Sequence, residues 1–255
     1  MKLTKTLHIL AFVLVSTICM GQQRTEKVKS FSKLLVSPHI ELILVKGNQE
    51  QVHWEFSNVG EDKLNAEIEG NTLHLYLDKA KVTAKQQRNK DVGWNYKESI
   101  YKNARVKAYV TYNQLRQLEI RGSEHVTCED VIESEDFRLK LYGDGDAYFA
   151  SIKAEDFKAS LYGENTLDIS SGYAQSQTYK CYGENVVRAA RFEGEQVSTT
   201  IFGESDLNLN AQGTMKVTSL GEGRVHYQGT AELNKGLILG ETSISRSKSE
   251  FKYKN

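Results

Sequence analysis

Proline is nearly absent from this chain of 255 residues, which contains only Pro38 but nineteen glycines. Such a composition favours extended strands joined by glycine turns over helices bounded by proline.

An excess of charge of either sign is absent as well, because 33 Lys and Arg residues balance 33 Asp and Glu residues. Since there is also no basic block and no RNA-binding signature, the sequence predicts no nucleic-acid partner.

Long apolar runs are absent beyond the amino terminus. There, Lys2 and Lys5 precede an apolar run of about fourteen residues, and Cys19 and Gly21 place small side chains before a cleavage position. The run is shorter than the roughly 20 residues that cross a bilayer as a helix. We therefore predict a signal peptide at 1–21, no transmembrane segment after its removal, and export to the periplasm, the cell surface or the medium. A retained anchor and lipidation of Cys19 are the alternatives.

A motif repeated at a step of about 20 residues dominates the rest of the sequence. It reads LYGDGDAYF at 141–149, LYGENTLDI at 161–169, CYGENVVRA at 181–189 and IFGESDLNL at 201–209. Its glycine recurs with steps of 18 to 21 residues at Gly122, Gly143, Gly163, Gly183, Gly203, Gly221 and Gly240. A period near 20 predicts a solenoid, in which each unit buries its apolar face by stacking on its neighbours.

Within each unit, apolar and polar residues alternate with a period of two. Phe137, Leu139 and Leu141 alternate with Arg138 and Lys140, which is typical of a half-buried strand. The motif glycine falls where the chain turns a corner, since glycine adopts positive φ without steric cost. The pattern predicts an all-β fold, a parallel β-helix (β-solenoid) with about 20 residues per coil. The helix and consensus of leucine-rich repeats and the blade signature of propellers are missing.

We predict a single β-solenoid domain at 22–255. Opening rungs and a cap occupy 31–110, and regular repeats of 18–21 residues occupy 111–250. Within the opening part, 83–104 breaks the alternation and is rich in Lys, Asn and Gln, so we expect a loop excursion there.

A family resemblance rests on this layout. After the signal come an opening of the form F-x-x-L-x-V, then RVKAYVTYNQLRQLEIRGSEHVTC, then serial strand–glycine–strand units. Over about residues 30–250 the chain resembles the putative auto-transporter adhesin family, whose domain is called the head GIN domain. The resemblance implies a right-handed β-helix on exported proteins of Bacteroidetes-like bacteria, with an adhesive role.

Two columns beside the corner are the candidate binding residues. Aromatic residues precede the motif glycine and carboxylates follow it: Tyr142, Tyr162, Tyr182 and Phe202; Asp144, Glu164, Glu184 and Glu204. The outward rings could stack on sugar rings or on the apolar surface of a partner, or stack on one another and cover the corner. The carboxylates could bind calcium, bond turn amides or extend into solvent.

Catalytic and metal-binding motifs are missing. The sequence contains no HExxH, no GxSxG and no phosphate-binding GxxxxGK[ST], so it predicts no enzyme, no metal site and no cofactor except calcium as an alternative. The predicted function is an exported binding or structural module of the cell envelope, adhesin-like, with a cell-surface glycan or protein as partner. A carbohydrate-active enzyme on a β-helix scaffold is the alternative, and the oligomeric state stays open.

Two cysteines remain after the signal, and in an exported protein a pair invites a disulfide. The repeat places Cys128 and Cys181 in different inward columns, three rungs apart. At about 4.8 Å per rung this exceeds the reach of a disulfide. We therefore predict that both thiols stay free and act as small core residues.

Overall fold

The structure is a computed structural model that describes residues 21–82, 86–88 and 97–247. Apart from Gly21, the predicted signal peptide lies outside the described residues. The described chain forms one 3-10 turn at Glu61–Lys63 and sixteen strands. The strands are β1 Gln22–Lys27, β2 Lys33–Val36, β3 Glu41–Lys46, β4 Gln51–Ser57, β5 Leu64–Glu69, β6 Thr72–Leu77, β7 Gln86–Arg88, β8 Lys97–Ser99, β9 Arg105–Tyr112, β10 Gln117–Arg121, β11 Val126–Gly143, β12 Asp146–Gly163, β13 Thr166–Ile169, β14 Gly172–Gln228, β15 Glu232–Leu239 and β16 Thr242–Arg246.

The predicted β-solenoid is confirmed, with about six turns and a spacing of about 20 residues. Strands β11, β12 and β14 bend around the coil, so one continuous strand covers more than one side. We name the sides by the coil at 137–156: side 1 is 137–142, side 2 is 146–149 and side 3 is 151–156. Each side pairs in parallel with the same side of the next coil.

The core follows the predicted alternation. Phe137 pairs with Phe157, and both are fully buried, as are the residues at every second position along side 1. Burying one such aromatic side chain stabilises the fold by roughly 1.5–3 kcal/mol. Cys128 aligns with Phe149, and Cys181 aligns with Leu161, in two different buried columns. Both thiols are free, which confirms the prediction.

The corner glycines form a column in which backbone packs on backbone. Gly143 pairs with Gly163, which pairs with Gly183, and all three have positive φ, at 120°, 111° and 105°. A Cβ added to Gly163 would lie 2.2 Å from the carbonyl oxygen of Gly143. Glycine is therefore required at this corner for its backbone conformation and also for the close approach of the next coil.

The amino-terminal end of the solenoid is closed by antiparallel strands. Side 1 continues from β10 to β2 and β6 in parallel, and β5 then pairs with β6 in the antiparallel sense. Side 2 continues from β11 to β3 and β9, and then to β4 and β1 with antiparallel pairing. The reversal of direction ends the repeat and covers the first coil.

Within the segment 83–104, predicted as a loop excursion, neither described strand pairs with the main sheet. The described part of the segment contains a separate two-stranded antiparallel sheet, β7 with β8. Residues 83–85 and 89–96 lie outside the described residues.

The last described coil is less well covered than the central ones. β15 and β16 each pair only with β14 within the described ranges. Leu237 and Leu239 are 58% and 55% exposed, whereas Leu220, which pairs with Leu239 on the preceding coil, is half-buried.

Candidate functional site

The four aromatic residues before the corner glycines form a continuous stack. Ring centroids are 4.7 Å apart between Tyr142 and Tyr162, 4.8 Å between Tyr162 and Tyr182, and 5.0 Å between Tyr182 and Phe202. Interplanar angles are 5° or less. The spacing equals that of the coils, so the parallel register alone sets the stack. We call these four residues the aromatic ladder.

Within the ladder, the ring faces stack against the faces of neighbouring rings. Tyr162 and Tyr182 each have a ring on both sides, so their faces are turned to their neighbours, and sugar rings cannot stack on each ring in turn. Of the two sequence-based interpretations, the structure shows rings that stack on one another. The ladder presents ring edges and three phenol hydroxyls, none of which has a hydrogen-bond partner among the described residues. Burial, and next the nearby Glu119 carboxylate, raise the pKa of Tyr142, so this hydroxyl stays protonated as a donor.

The carboxylates after the corner glycines form a second column, which we call the acidic column: Asp144, Glu164, Glu184 and Glu204. All four are exposed. Within the described ranges their carboxylates accept no hydrogen bond and form no ion pair, so they extend into solvent. No three His, Cys, Asp or Glu side chains of the described residues converge in an arrangement that could hold a metal ion.

Between the acidic column and side 2 runs a groove that sequence reasoning missed. Its floor is formed by buried polar residues one position after the acidic column, namely Asn165, Asn185 and Ser205. This part of the groove has a volume of about 310 Å³. A second part, of about 580 Å³, shares Glu204 and Ser205 and extends the groove toward the carboxy-terminal coils.

The floor of the groove is held by side-chain amides. Asn165 Oδ1 accepts a bond from the Gly145 amide at 3.4 Å, and Asn185 Oδ1 accepts from Asn165 Nδ2 at 3.2 Å. Asn185 Nδ2 is buried without a partner among the described residues. The recurrence of Asn in GEN at 163–165 and 183–185 was the available sequence signal. Its inward position at a corner became visible only in the fold.

The two thiols are unreactive core groups. Burial raises the pKa of Cys181 to about 12, although the Ser205 hydroxyl beside it acts in the opposite direction. Burial also raises the pKa of Cys128 to about 11, and its thiol lies 3.7 Å from the Tyr112 hydroxyl. Neither thiol contributes to the groove or to the ladder.

One cluster of unlike polar residues lies apart from the ladder, where β8 meets the first corner. Ser99 Oγ lies 2.9 Å from His39 Nε2, and His39 Nδ1 lies 3.6 Å from Glu124 Oε1. The Tyr101 amide also donates to Ser99 Oγ, at 3.2 Å. His39 has a positive φ of 71°, which is uncommon for a residue other than glycine. These bonds fasten the segment after β8 to the solenoid.

Nowhere in the described ranges is there a helix with the length and apolarity needed to cross a bilayer.

Solved structures with the same fold come from Bacteroides and Parabacteroides species. A putative adhesin from Bacteroides fragilis superimposes with a TM-score of 0.71 at 19% identity, covering 89% of this chain and 96% of that one. A putative lipid binding protein from Parabacteroides distasonis gives 0.64 at 17% identity, covering 91% and 98%. A putative adhesin from Parabacteroides merdae gives 0.60 at 12% identity, covering 89% and 96%. At these identities the likeness shows the fold alone.

The family comparison identifies the chain more directly. No curated protein matches it at a significant level. The family model described as "Putative auto-transporter adhesin, head GIN domain" matches residues 30–231. That match covers most of the chain, including strands β2 to β14, the glycine corners from Gly122 to Gly221 and the aromatic ladder. This chain therefore belongs to the putative auto-transporter adhesin family with a head GIN domain.

Proposed function

We propose that this protein is an exported, adhesin-like binding module of the bacterial cell envelope. The family is described as adhesin-like, and solved structures of the same fold carry the names adhesin and lipid binding protein. Export rests on the amino-terminal pattern of Lys2, Lys5 and a short apolar run. These observations support a function in recognition at a cell surface.

The proposed binding surface is the edge where the aromatic ladder runs beside the acidic column. The observation that carries the proposal is repetition, because adjacent coils offer a ring edge at steps of 4.7–5.0 Å and one free carboxylate per coil. Each contact is weak, but a partner that spans several coils forms several such contacts at once, which raises its affinity. The hydroxyls donate and the carboxylates accept, so the edge suits a partner rich in hydroxyl or amide groups, either a cell-surface glycan or a protein.

Binding of the purified mature protein to a glycan array and to whole bacterial and host cells tests this proposal. Tyr162→Phe with Tyr182→Phe removes two hydroxyls and keeps the stack. Glu164→Gln with Glu184→Gln removes two charges that have no protein partner. We expect each double variant to bind at least about fivefold more weakly at an unchanged melting temperature, since two of several repeated contacts are lost. Full binding by both variants would exclude this edge.

The same binding experiment also tests whether binding depends on calcium. Carboxylate oxygens are its preferred ligands, and the acidic column supplies one per coil. If calcium bridges the column to a ligand, a chelator abolishes binding by the native protein, and Glu164→Gln with Glu184→Gln removes the calcium dependence. If binding is equal in chelator and in calcium, the carboxylates act directly as acceptors.

An enzymatic role is the competing candidate, and the cluster of Ser99, His39 and Glu124 is the observation that favours it. A serine hydroxyl beside an imidazole that faces a carboxylate is the arrangement used in acyl transfer. We propose that this cluster is structural, because Ser99 Oγ also receives the Tyr101 amide. The test incubates acetylated and methyl-esterified glycans with native protein and with Ser99→Ala. Product formed by native protein and abolished in Ser99→Ala would establish the enzyme.

A further inference from the structure

Side 1 of the solenoid concentrates positive charge that the neutral composition conceals. The parallel register aligns Lys33, Gln117, Arg138 and Lys158 in one column. Two residues further along each strand, it aligns Lys140 with Ser160 and then with Lys180. These side chains alternate with the buried core residues of the same strands and therefore point outward. Residues about 20 positions apart thus form a mainly cationic surface, which Gln117, Glu119 and Ser160 interrupt.

Most of these charges lack a carboxylate partner. Glu119 aligns with Lys140 on this face, and its carboxylate lies 2.7 Å from Arg121 and 3.7 Å from Lys140. Arg138, Lys158 and Lys180 are exposed and form no ion pair with any residue that the structure describes.

On side 2, in contrast, the cations form ion pairs with carboxylates. Arg188 lies 3.1 Å from Asp168, and Arg224 lies 3.1 Å from Asp206. Each of these pairs joins neighbouring coils and leaves little net charge on that side. The contrast shows that the unpaired cations of side 1 are not a general feature of this solenoid.

Negative charge borders the cationic surface on both edges. Asp136 and Asp156 lie two residues before Arg138 and Lys158, and the acidic column lies beyond the aromatic ladder. Four residues of extended strand separate the column of Arg138 from that of Tyr142, which is roughly 13 Å. We call this band, which contains Lys33, Arg138, Lys140, Lys158 and Lys180, the basic strip. It runs along the solenoid axis with carboxylates on either side.

We propose that the basic strip binds a linear polyanionic glycan that carries carboxylate or sulfate groups. Arg138, Lys158 and Lys180 lie on three successive coils, so a narrow chain lying along the axis meets a cation on each of them and avoids both acidic borders. A membrane surface is broad and flat, so its anionic headgroups would also meet the borders and be repelled. A duplex nucleic acid is wider than the strip and meets the same repulsion. The surface is separate from the edge proposed above, so this inference goes beyond that function.

The test measures binding of the mature protein to heparin and to polygalacturonate at about 50 mM NaCl, with uncharged dextran as the neutral polymer. The variant Arg138→Gln, Lys158→Gln and Lys180→Gln removes three unpaired charges of the strip. Its matched control, Lys153→Gln, Arg188→Gln and Arg224→Gln, removes the same charge from sides 2 and 3. We expect about a tenfold loss or more for the strip variant and less than about threefold for the control. Circular dichroism and melting temperature verify that both variants fold.

A gain of binding gives a second, independent readout. Asp136→Asn with Asp156→Asn removes one acidic border and should strengthen binding of heparin by about threefold, since two repulsive charges beside the strip disappear. A merely structural role of these aspartates would not produce tighter binding.

Several outcomes overturn the inference. One is the absence of binding to either polyanion at low salt, and another is an equal loss in the strip variant and its control. Binding to vesicles containing phosphatidylglycerol but not to the polymers would assign the strip to membranes. Single-stranded DNA that binds as tightly as heparin would remove the glycan class. The ladder variant Tyr162→Phe with Tyr182→Phe should keep heparin binding, so failure of the strip and failure of the proposed edge are distinguishable.

Discussion

The opening region (residues 21–112) and the repeat array (residues 117–246) build one core by different means. In the array, identical positions stack coil on coil, so glycine meets glycine and tyrosine meets tyrosine. In the opening region β1, β4 and β5 pair in the antiparallel sense, and contacts join unlike residues. For example, Trp54 Nε1 donates to Glu26 Oε1 at 2.9 Å.

This difference shows what repetition contributes and what it requires. Stacked repeats multiply one favourable contact, but they also leave an unpaired edge at each end. The opening region lies at the amino-terminal end, where antiparallel strands finish the sheet. We therefore expect the array to be sensitive to single changes at its columns, and the opening region to be sensitive at its specific polar contacts.

The largest effect is expected at a corner glycine. In Gly163→Ala the new Cβ would lie 2.2 Å from the Gly143 carbonyl oxygen, at a φ of 111°. Because two packed backbones would have to separate, we expect the free energy of unfolding to fall by about 3–5 kcal/mol in urea titrations. Gly70→Ala in the opening region is the matched control, since it has a φ of 60° and nothing within 4 Å of the added Cβ. It should cost about 1 kcal/mol, and equal losses at the two sites would contradict the stacked corner.

The aromatic ladder should give the next largest effect. Tyr162→Ala with Tyr182→Ala removes all three stacked pairs, each worth about 0.5–1.5 kcal/mol beyond buried area. We expect a loss of about 2–4 kcal/mol and a lower melting temperature by calorimetry. Tyr173→Ala is the control, because that tyrosine is 44% exposed and its hydroxyl donates to the neighbouring Gln175 side chain. A ladder variant as stable as the control would show that stacking adds nothing.

Thiol labelling compares the stability of the two regions without mutation. The unfolded, unreduced mature protein, without Cys19, should show two free sulfhydryls. In the native protein both should react slowly, because burial raises their pKa values to about 11 for Cys128 and about 12 for Cys181. Cys128 lies against Tyr112 of the opening region, so we expect it to react about fivefold faster through local opening. Faster labelling of Cys181 would place the weaker contacts in the array.

The smallest effect concerns acidification of the opening region. Burial, and next the charge of Lys81, lower the pKa of His74, whose Nε2 lies 2.9 Å from Ser37 Oγ. The unfolded chain then takes up the proton first, so stability is complete above about pH 6.5 and falls as the pH drops toward the folded pKa. We expect a loss of below about 1 kcal/mol that His74→Gln abolishes. His226→Gln, at an exposed array position, should keep the pH dependence of the native protein.

Sequence reasoning was accurate where the contacts repeat. The position of Cys181 beside Leu161, and the outward direction of Tyr162, were predicted from spacing and parity alone. It did not reveal that Asn165 and Asn185 would pair beneath a groove, because a polar residue near a turn is normally read as exposed. The pairing of β4 with β1 and β9 was equally inaccessible, since no repeat marks an antiparallel closure.

By itself, the sequence determined the coil, because alternation with a period of two selects strands and a glycine every 20 residues sets the corner and the register. The aromatic ladder and the acidic column follow from the same period. Only the tertiary structure decided that the ring faces are used within the ladder, that the first coil is closed by reversed strands, and that Lys33 of the opening region joins the column of Arg138 and Lys158. These features depend on contacts between residues far apart in the chain, whose distances and partners no local pattern encodes.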